Sequence, residues 1–259
     1  MRFLRSGGRF GAGQVEYRGQ KLPRSLFAGS ALGGVGYLQD VVDYGGTISS
    51  AGDGGFIASL PNGLHFESNQ HGFIDSLCML AERFVADEYR WLDVEGRIVV
   101  DIGANIGDSA LYFVKRGATY VYGYEPDATA YDAAVRNLRL NGVTNAEVTK
   151  AAVGGEAQPP GDGDRNGVRT LNDIIDHVTK VHPGVGIVCK IDCEGCEYEI
   201  MESAHVRDAL ARVSQVMIEY HWRSPEPLVA ALRGSAFETE TSTAASGVGW
   251  VRARKAVSE

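Results

Sequence analysis

No stretch of the 259-residue chain approaches the roughly 20 apolar residues that a membrane-spanning helix needs. The opening residues, MRFLRSGGRFGAGQ, carry arginines but no continuous apolar run, so no secretory signal is read there. Cysteine is scarce. Four in a chain this long do not make a disulfide scaffold, and a reducing cytoplasm is the expected setting. Positive charge is also short: a net charge of −8 speaks against the phosphate-neutralising surface of a general nucleic-acid binder. No internal repeat is visible. The 44% hydrophobic and 22% charged residues are ordinary for a globular protein and exclude wholesale disorder, collagen and coiled coil. One stretch departs from the acidic average. Residues 1–24 hold Arg2, Arg5, Arg9, Arg18, Lys21 and Arg24 against Glu16, with five glycines interleaved, and read as a flexible basic arm.

Residues 1–95 form an irregular N-terminal α+β cap, expected to recognise the acceptor, and residues 96–259 a cofactor-binding domain. In the cap, FIASL (56–60) and LHFES (64–68) flank the turn Pro61-Asn62-Gly63 and read as a hairpin. Residues 73–92 space Ile74, Leu77, Leu80, Ala81, Phe84 and Val85 as a helix does. From Arg97 onward the pattern changes. IVVDIG (98–103), TYVYGYE (119–125), AEVTKAAV (146–153), GIVCKID (186–192) and VSQVMIEYH (213–221) are strands with helical segments between them. FETETS (237–242) and GWVRAR (249–254) alternate and are expected to pair antiparallel. Asp108-Ser109 is placed to cap the first helix, Pro126-Asp127 to open the second and Thr170 to cap the third. The whole predicts a doubly wound, mostly parallel seven-stranded α/β sheet, Rossmann-like, with right-handed crossovers.

In such a sheet ligands sit at the carboxyl ends of the strands. The first strand ends Asp101-Ile102-Gly103-Ala104-Asn105-Ile106-Gly107-Asp108, and its glycines permit a tight turn beside a ligand. The second ends in Glu125, 22 residues after Gly103, where a carboxylate can accept both hydrogen bonds of a ribose diol. A dinucleotide fold wants G-x-G-x-x-G. Here Asn105 replaces the second glycine, and Asp108 would repel a pyrophosphate at the helix start. Asp101 and Asp108 instead suit a cationic ligand with an ammonium group. S-adenosylmethionine is the expected cofactor, ahead of a nicotinamide or flavin nucleotide.

VVDIGANIGDSALYF, GYEPD, TLNDII, KIDCEGCEYEI and VMIEYHW, in that order, resemble the FkbM family of S-adenosylmethionine-dependent methyltransferases over about residues 97–222. The resemblance implies the class I methyltransferase fold and O-methylation of a sugar or natural-product hydroxyl. It implies that Asp101, Gly103, Asn105 and Gly107 line the methionine part and that Glu125 holds the ribose; Ala104, Asp108, Ser109, Pro126 and Asp127, in the same two turns, are the further cofactor-binding candidates. Many class I methyltransferases place an acidic or amide residue after the third strand to meet the adenine amine; here that stretch is Ala151-Ala152-Val153-Gly154, which leaves the adenine contact unassigned.

The fourth strand delivers Lys190, Asp192, Glu194 and Glu197 around Gly195, and the fifth delivers Glu219 and His221. A neutral imidazole suits proton removal near pH 7, so His221 is the first candidate base and Asp192 the second. Lys190 could stabilise a developing alkoxide, or simply pair with Glu219 as a buried ion. Glu219 and Glu194 complete the catalytic candidates. A divalent ion on Asp192, Glu219 and His221 is the less expected alternative, since a metal usually takes more carboxylates. Cys193-x-x-Cys196 reads as ordinary packing, Cys78 and Cys189 as core thiols, Trp250 as core, and His65 and His71 as surface residues. The expected partner is a small-molecule or glycan acceptor, with no membrane and nucleic acid disfavoured; a homo-oligomer stays open. The rival functions are an RNA methyltransferase, a nucleotide-dependent oxidoreductase and a binding module that has lost turnover.

Overall fold

The computed structural model describes residues 2–27, 33–51, 54–69, 72–158, 167–243 and 247–256. The chain divides into two compact units, Met1–Tyr89 with Val135–Val143, and Arg90–Ala134 with Thr144–Glu259.

In the smaller unit, helix α1 (Arg2–Arg5) precedes an antiparallel meander of β1 (Arg9–Phe10), β2 (Gln14–Tyr17) and β3 (Gln20–Pro23). The arm expected to be flexible is therefore folded. Phe3, Val15, Tyr17 and Leu22 are buried, and this apolar burial offsets the entropy of ordering a glycine-rich segment. Arg2 pairs with Asp40 and Arg18 with Asp43. Helix α2 (Gly33–Asp43) leads to a second antiparallel sheet of β4 (Thr47–Ser50), β5 (Phe56–Ser59) and β6 (His65–Ser68). The β5–β6 turn runs through Pro61-Asn62-Gly63, with Asn62 Oδ1 accepting from the Leu64 N–H at 3.1 Å. Helix α3 (Phe73–Leu80) is shorter than its spacing predicts: it widens into a π-turn at Ala81–Val85 and a 3₁₀ turn follows at Glu88–Trp91. His65 bonds Ser59 through Nδ1; His71 lies outside the described residues.

The larger unit runs β7 (Ile98–Ile102), α4 (Asp108–Lys115), β8 (Tyr120–Tyr124), the part of α5 (Ala128–Leu140) up to Ala134, β9 (Ala146–Thr149), β10 (Ala152–Gly154), β11 (Val168–Thr170) and α6 (Leu171–Val181). It continues with β12 (Ile187–Ile191), α7 (Cys196–Glu202), α8 (Val206–Ala211), β13 (Val213–His221), α9 (Glu226–Arg233), β14 (Phe237–Thr243) and β15 (Val248–Lys255). The seven-stranded sheet has the order β14-β15-β13-β12-β7-β8-β9, with only β15 antiparallel to its neighbours. Two local expectations change. The run 146–153 breaks after Thr149, and β10 leaves the sheet to pair with β11. The Asp108–Ser109 cap does not form: Gly107, at φ +80°, is the N-cap of α4 and no side chain caps it. Thr170 does cap α6, accepting from the Asp173 N–H at 3.1 Å. Among the described residues no helix is long and apolar enough to cross a membrane.

Strand alternation decides what meets what. Ile98, Val100 and Ile102 of β7, Cys189 and Ile191 of β12, and Val216, Ile218 and Tyr220 of β13 join one core cluster with α6, α7, α8 and α9. Period-two geometry sends Asp101, Lys190, Glu219 and His221 to the opposite face. The sheet order then makes β7, β12 and β13 neighbours, so these polar residues converge at adjacent carboxyl ends. The strand order reverses direction between β7 and β12, which is where this architecture opens a crevice.

Candidate active site

The turn after β7 is built by backbone. The N–H groups of Gly103 and Ala104 both donate to the Tyr124 carbonyl at 3.0 Å, tying the ends of β7 and β8 together. Gly103 (φ +79°), Asn105 (φ +44°) and Gly107 (φ +80°) all take left-handed backbone, which glycine and asparagine tolerate best. At Gly103 a Cβ would also fall 1.7 Å from the Asp192 carbonyl oxygen, so the close approach of β7 and β12 requires glycine.

Beneath this turn lies a buried ion pair. Lys190 faces Asp101 in register, with Nζ 3.2 Å from Asp101 Oδ1 and 3.6 Å from Asp192 Oδ2. The ammonium also donates to the Gly103 carbonyl at 2.6 Å, and Ser109 Oγ donates to Asp101 Oδ2 at 2.6 Å. Burial pushes the Asp101 carboxyl above the usual range, against the pull of Lys190 and Ser109. Asp101, Lys190 and Ser109 thus hold the turn's framework. The structure brings Asp101 and Asp192 to the Lys190 ammonium, acids that stand beside the Glu219 pairing and the alkoxide role expected for it.

Glu125, at the end of β8, is held on both oxygens. Oε2 accepts from the Asn105 N–H at 2.9 Å and Oε1 from the Asp127 N–H at 2.8 Å. The side chain is nearly buried, and burial raises its pKa against those two hydrogen bonds. Asp127 Oδ1 accepts from the N–H groups of Thr129 and Ala130, capping the start of α5 where Pro126-Asp127 was expected to open the helix. Pro126 is exposed and Asp108 is buried in the first turn of α4.

The fourth and fifth strands supply a second group. Asp192, Glu219 and His221 each place one ligand-capable atom within 4.8 Å of the others. His221 Nδ1 lies 3.2 Å from Glu197 Oε1, and Nε2 lies 4.0 Å from Asp192 Oδ1. The hydrogen bond to Glu197 is the main reason the imidazole pKa is raised; burial opposes it, and the charges of Asp192, Glu197 and Glu219 add to it. Glu197 is fully buried and also accepts from the N–H groups of Cys193 and Gly195. The sequence grouped Glu197 with this strand but assigned it no task. Its signal was an acid in the first helical turn after a glycine bend. Glu194 sits on that bend, exposed, at φ +54°. Cys193 and Cys196, expected as packing thiols, are joined in a disulfide, their Cα atoms 5.6 Å apart across Gly195. Cys189 is buried, Cys78 is partly exposed, and Trp250 is buried as expected.

Comparison with known proteins adds a lineage. The chain is 31% identical over 96 residues to a ribosomal protein L11 methyltransferase of Caldanaerobacter subterraneus subsp. tengcongensis. That match covers 37% of this chain and 28% of the relative's length. An rRNA methylase from Streptococcus thermophilus superposes with a TM-score of 0.43 and 16% identity, over 63% of this chain and 89% of its own. Precorrin-6y C5,15-methyltransferase from Geobacter metallireducens superposes with a TM-score of 0.45 and 12% identity, over 66% and 87%. The model of the methyltransferase FkbM domain matches residues 101–234, from the first acid of the turn to the end of α9 and more than half of the chain, and the chain belongs to that family.

Proposed function

We propose that the protein transfers a methyl group from S-adenosylmethionine to a hydroxyl oxygen of a small molecule or sugar. The observation that carries this reading is Glu125, fixed by two backbone N–H groups beside the Gly103–Gly107 turn. Each carboxylate oxygen keeps a lone pair after its N–H bond, which is what a ribose diol needs. Asp108, buried at the start of α4, disfavours a pyrophosphate there and with it a nicotinamide cofactor. The acidic lining formed with Glu125, Asp192 and Glu219 favours a cationic donor instead. When bound, that donor supplies an electrophilic methyl whose bond to sulfur breaks as the bond to oxygen forms, leaving a neutral thioether.

The chain's own residues align and deprotonate the acceptor. The turn and Glu125 set the donor's position, and alignment alone is worth several kcal/mol, up to ~7–11 in ideal cases. The acceptor hydroxyl meets Asp192, Glu219 and His221, and its proton is given up at that cluster. Glu197 holds the imidazole by Nδ1 so that Nε2 faces Asp192.

A second reading is a macromolecular acceptor. The 96-residue match to a ribosomal protein methyltransferase and the exposed Arg5, Arg9 and Lys21 of the smaller unit favour it. Incubation with radiolabelled methyl donor and a panel of sugars, phenols, polyketides, tRNA and ribosomal protein separates the two. Label in a small hydroxyl compound supports the first reading, label only in RNA or protein selects the second, and none in any acceptor defeats both.

Two variants bear on the assigned roles. Glu125→Ala is expected to weaken S-adenosylmethionine binding by about 1–3 kcal/mol, the loss for charge-assisted hydrogen bonds; an unchanged calorimetric affinity would remove Glu125 from the cofactor site. His221→Ala is expected to lower turnover about a hundredfold while cofactor affinity stays near wild type. Full turnover in that variant would take His221 out of the chemistry.

A further inference from the structure

The cluster at the ends of β12 and β13 has features that proton transfer alone does not explain. Asp192, Glu219 and His221 present one ligand atom each, all within 4.8 Å of one another. His221 is 9% exposed, and its Nδ1 is engaged by the fully buried Glu197. Its Nε2 has no hydrogen-bond partner among the described residues and points at Asp192 Oδ1 from 4.0 Å. That gap is too long for a hydrogen bond. It is the span expected of two ligands that share an ion through bonds of roughly 2.0–2.6 Å. A buried carboxylate that fixes one imidazole nitrogen so that the other faces a polar opening is also the usual support of a metal-bound histidine. Charge points the same way. Two carboxylates converge on one imidazole, and the Lys190 ammonium, 3.6 Å from Asp192 Oδ2, is shared with Asp101 and the Gly103 carbonyl.

We infer that Asp192, Glu219 and His221 bind a divalent cation of the Mn²⁺ or Mg²⁺ class, with Glu197 as the positioning residue behind the imidazole. Two carboxylates with one imidazole suit Mn²⁺ best, because the nitrogen ligand is less favourable for Mg²⁺. The inference deepens the methyl-transfer reading and rests on it for the ion's task. A cation there would hold the acceptor hydroxyl and lower its pKa, with the released proton passing to solvent. His221 is then a ligand, and its loss lowers turnover by emptying the site.

The test reads metal binding directly, with neither methyl donor nor acceptor present. Full-length protein stripped with EDTA is titrated with Mn²⁺, and free Mn²⁺ is followed by electron paramagnetic resonance. One Mn²⁺ per chain is expected, displaced by excess Mg²⁺. Asp192→Asn and Glu219→Gln, on different strands, should each weaken Mn²⁺ binding by about tenfold or more, while Glu202→Gln, on the exposed side of α7, should leave it unchanged. Circular dichroism checks that each variant is folded. No uptake by the wild-type protein, or uptake that both folded variants retain, overturns the inference. Mn²⁺ bound with these sensitivities supports it even if no acceptor is ever methylated. Methyl transfer that persists in EDTA would discard the ion and leave the methyltransferase reading standing.

Discussion

Replacing Lys190 with methionine is expected to cost about 3–5 kcal/mol of stability, because removing one partner of a buried pair leaves the other charge uncompensated. Asp101 is fully buried, and its Oδ1 has the Lys190 ammonium as its charge partner at 3.2 Å. The substitution also removes the donor to the Gly103 carbonyl, so the turn after β7 loosens together with the ion pair. Methionine keeps much of the lysine stem's packing, which isolates the lost charge from a cavity effect. Urea unfolding followed by circular dichroism measures the loss. The double variant Asp101→Asn/Lys190→Met should recover part of it, since no charge is then left alone in the interior. A single variant within about 1 kcal/mol of wild type, the range of an exposed pair, would show that the two charges are not buried as the structure has them.

Gly103→Ala is expected to cost about 2–5 kcal/mol, summing the penalty for a left-handed backbone at a non-glycine residue and that for overpacking. The added Cβ falls 1.7 Å from the Asp192 carbonyl oxygen, and neither strand end is free to yield. The Asp192 N–H donates to the Ile102 carbonyl at 3.0 Å, which locks the two strands at this point. Any adjustment therefore moves Asp192, and cofactor affinity and Mn²⁺ binding should fall along with the unfolding midpoint. Gly107→Ala is the comparison. It shares the positive φ, but its nearest neighbour would be the Ala134 Cα at 3.2 Å, so its cost should be smaller. Equal costs in the two variants would mean that backbone conformation, rather than the strand contact, is what glycine serves at position 103.

Both predictions depend on residues whose importance shows in the chain and whose partners do not. Continuous apolar runs at 98–102 and 187–191, each interrupted by one charge, mark buried parallel strands and flag Asp101 and Lys190 as unusual. That they oppose each other follows only from sheet order. Strand β12 comes late in the chain yet lies directly beside β7. The residues in line suggest Glu219 as a buried partner of Lys190, while the structure brings Asp101 of β7 and Asp192 at the end of β12 to its ammonium. Glu197 is legible as an acid near a glycine bend, but its hydrogen bond to His221 joins two elements that meet only in the fold. The glycine-rich N-terminal segment reads as a flexible arm because composition reports only local freedom. It does not report that Phe3, Val15, Tyr17 and Leu22 bury together.

Period-two alternation, turn residues and capping act over a few neighbours, so the order and kind of elements in the larger unit, its parallel character and the acid-and-glycine turn could be read from the residues in line. The meeting of Asp192, Glu219 and His221 could be expected from adjacent strand ends, but register, ion pairing and the distances within that group join residues from different strands. They depend on which strands become neighbours once the apolar faces are buried, and only the folded chain decided them.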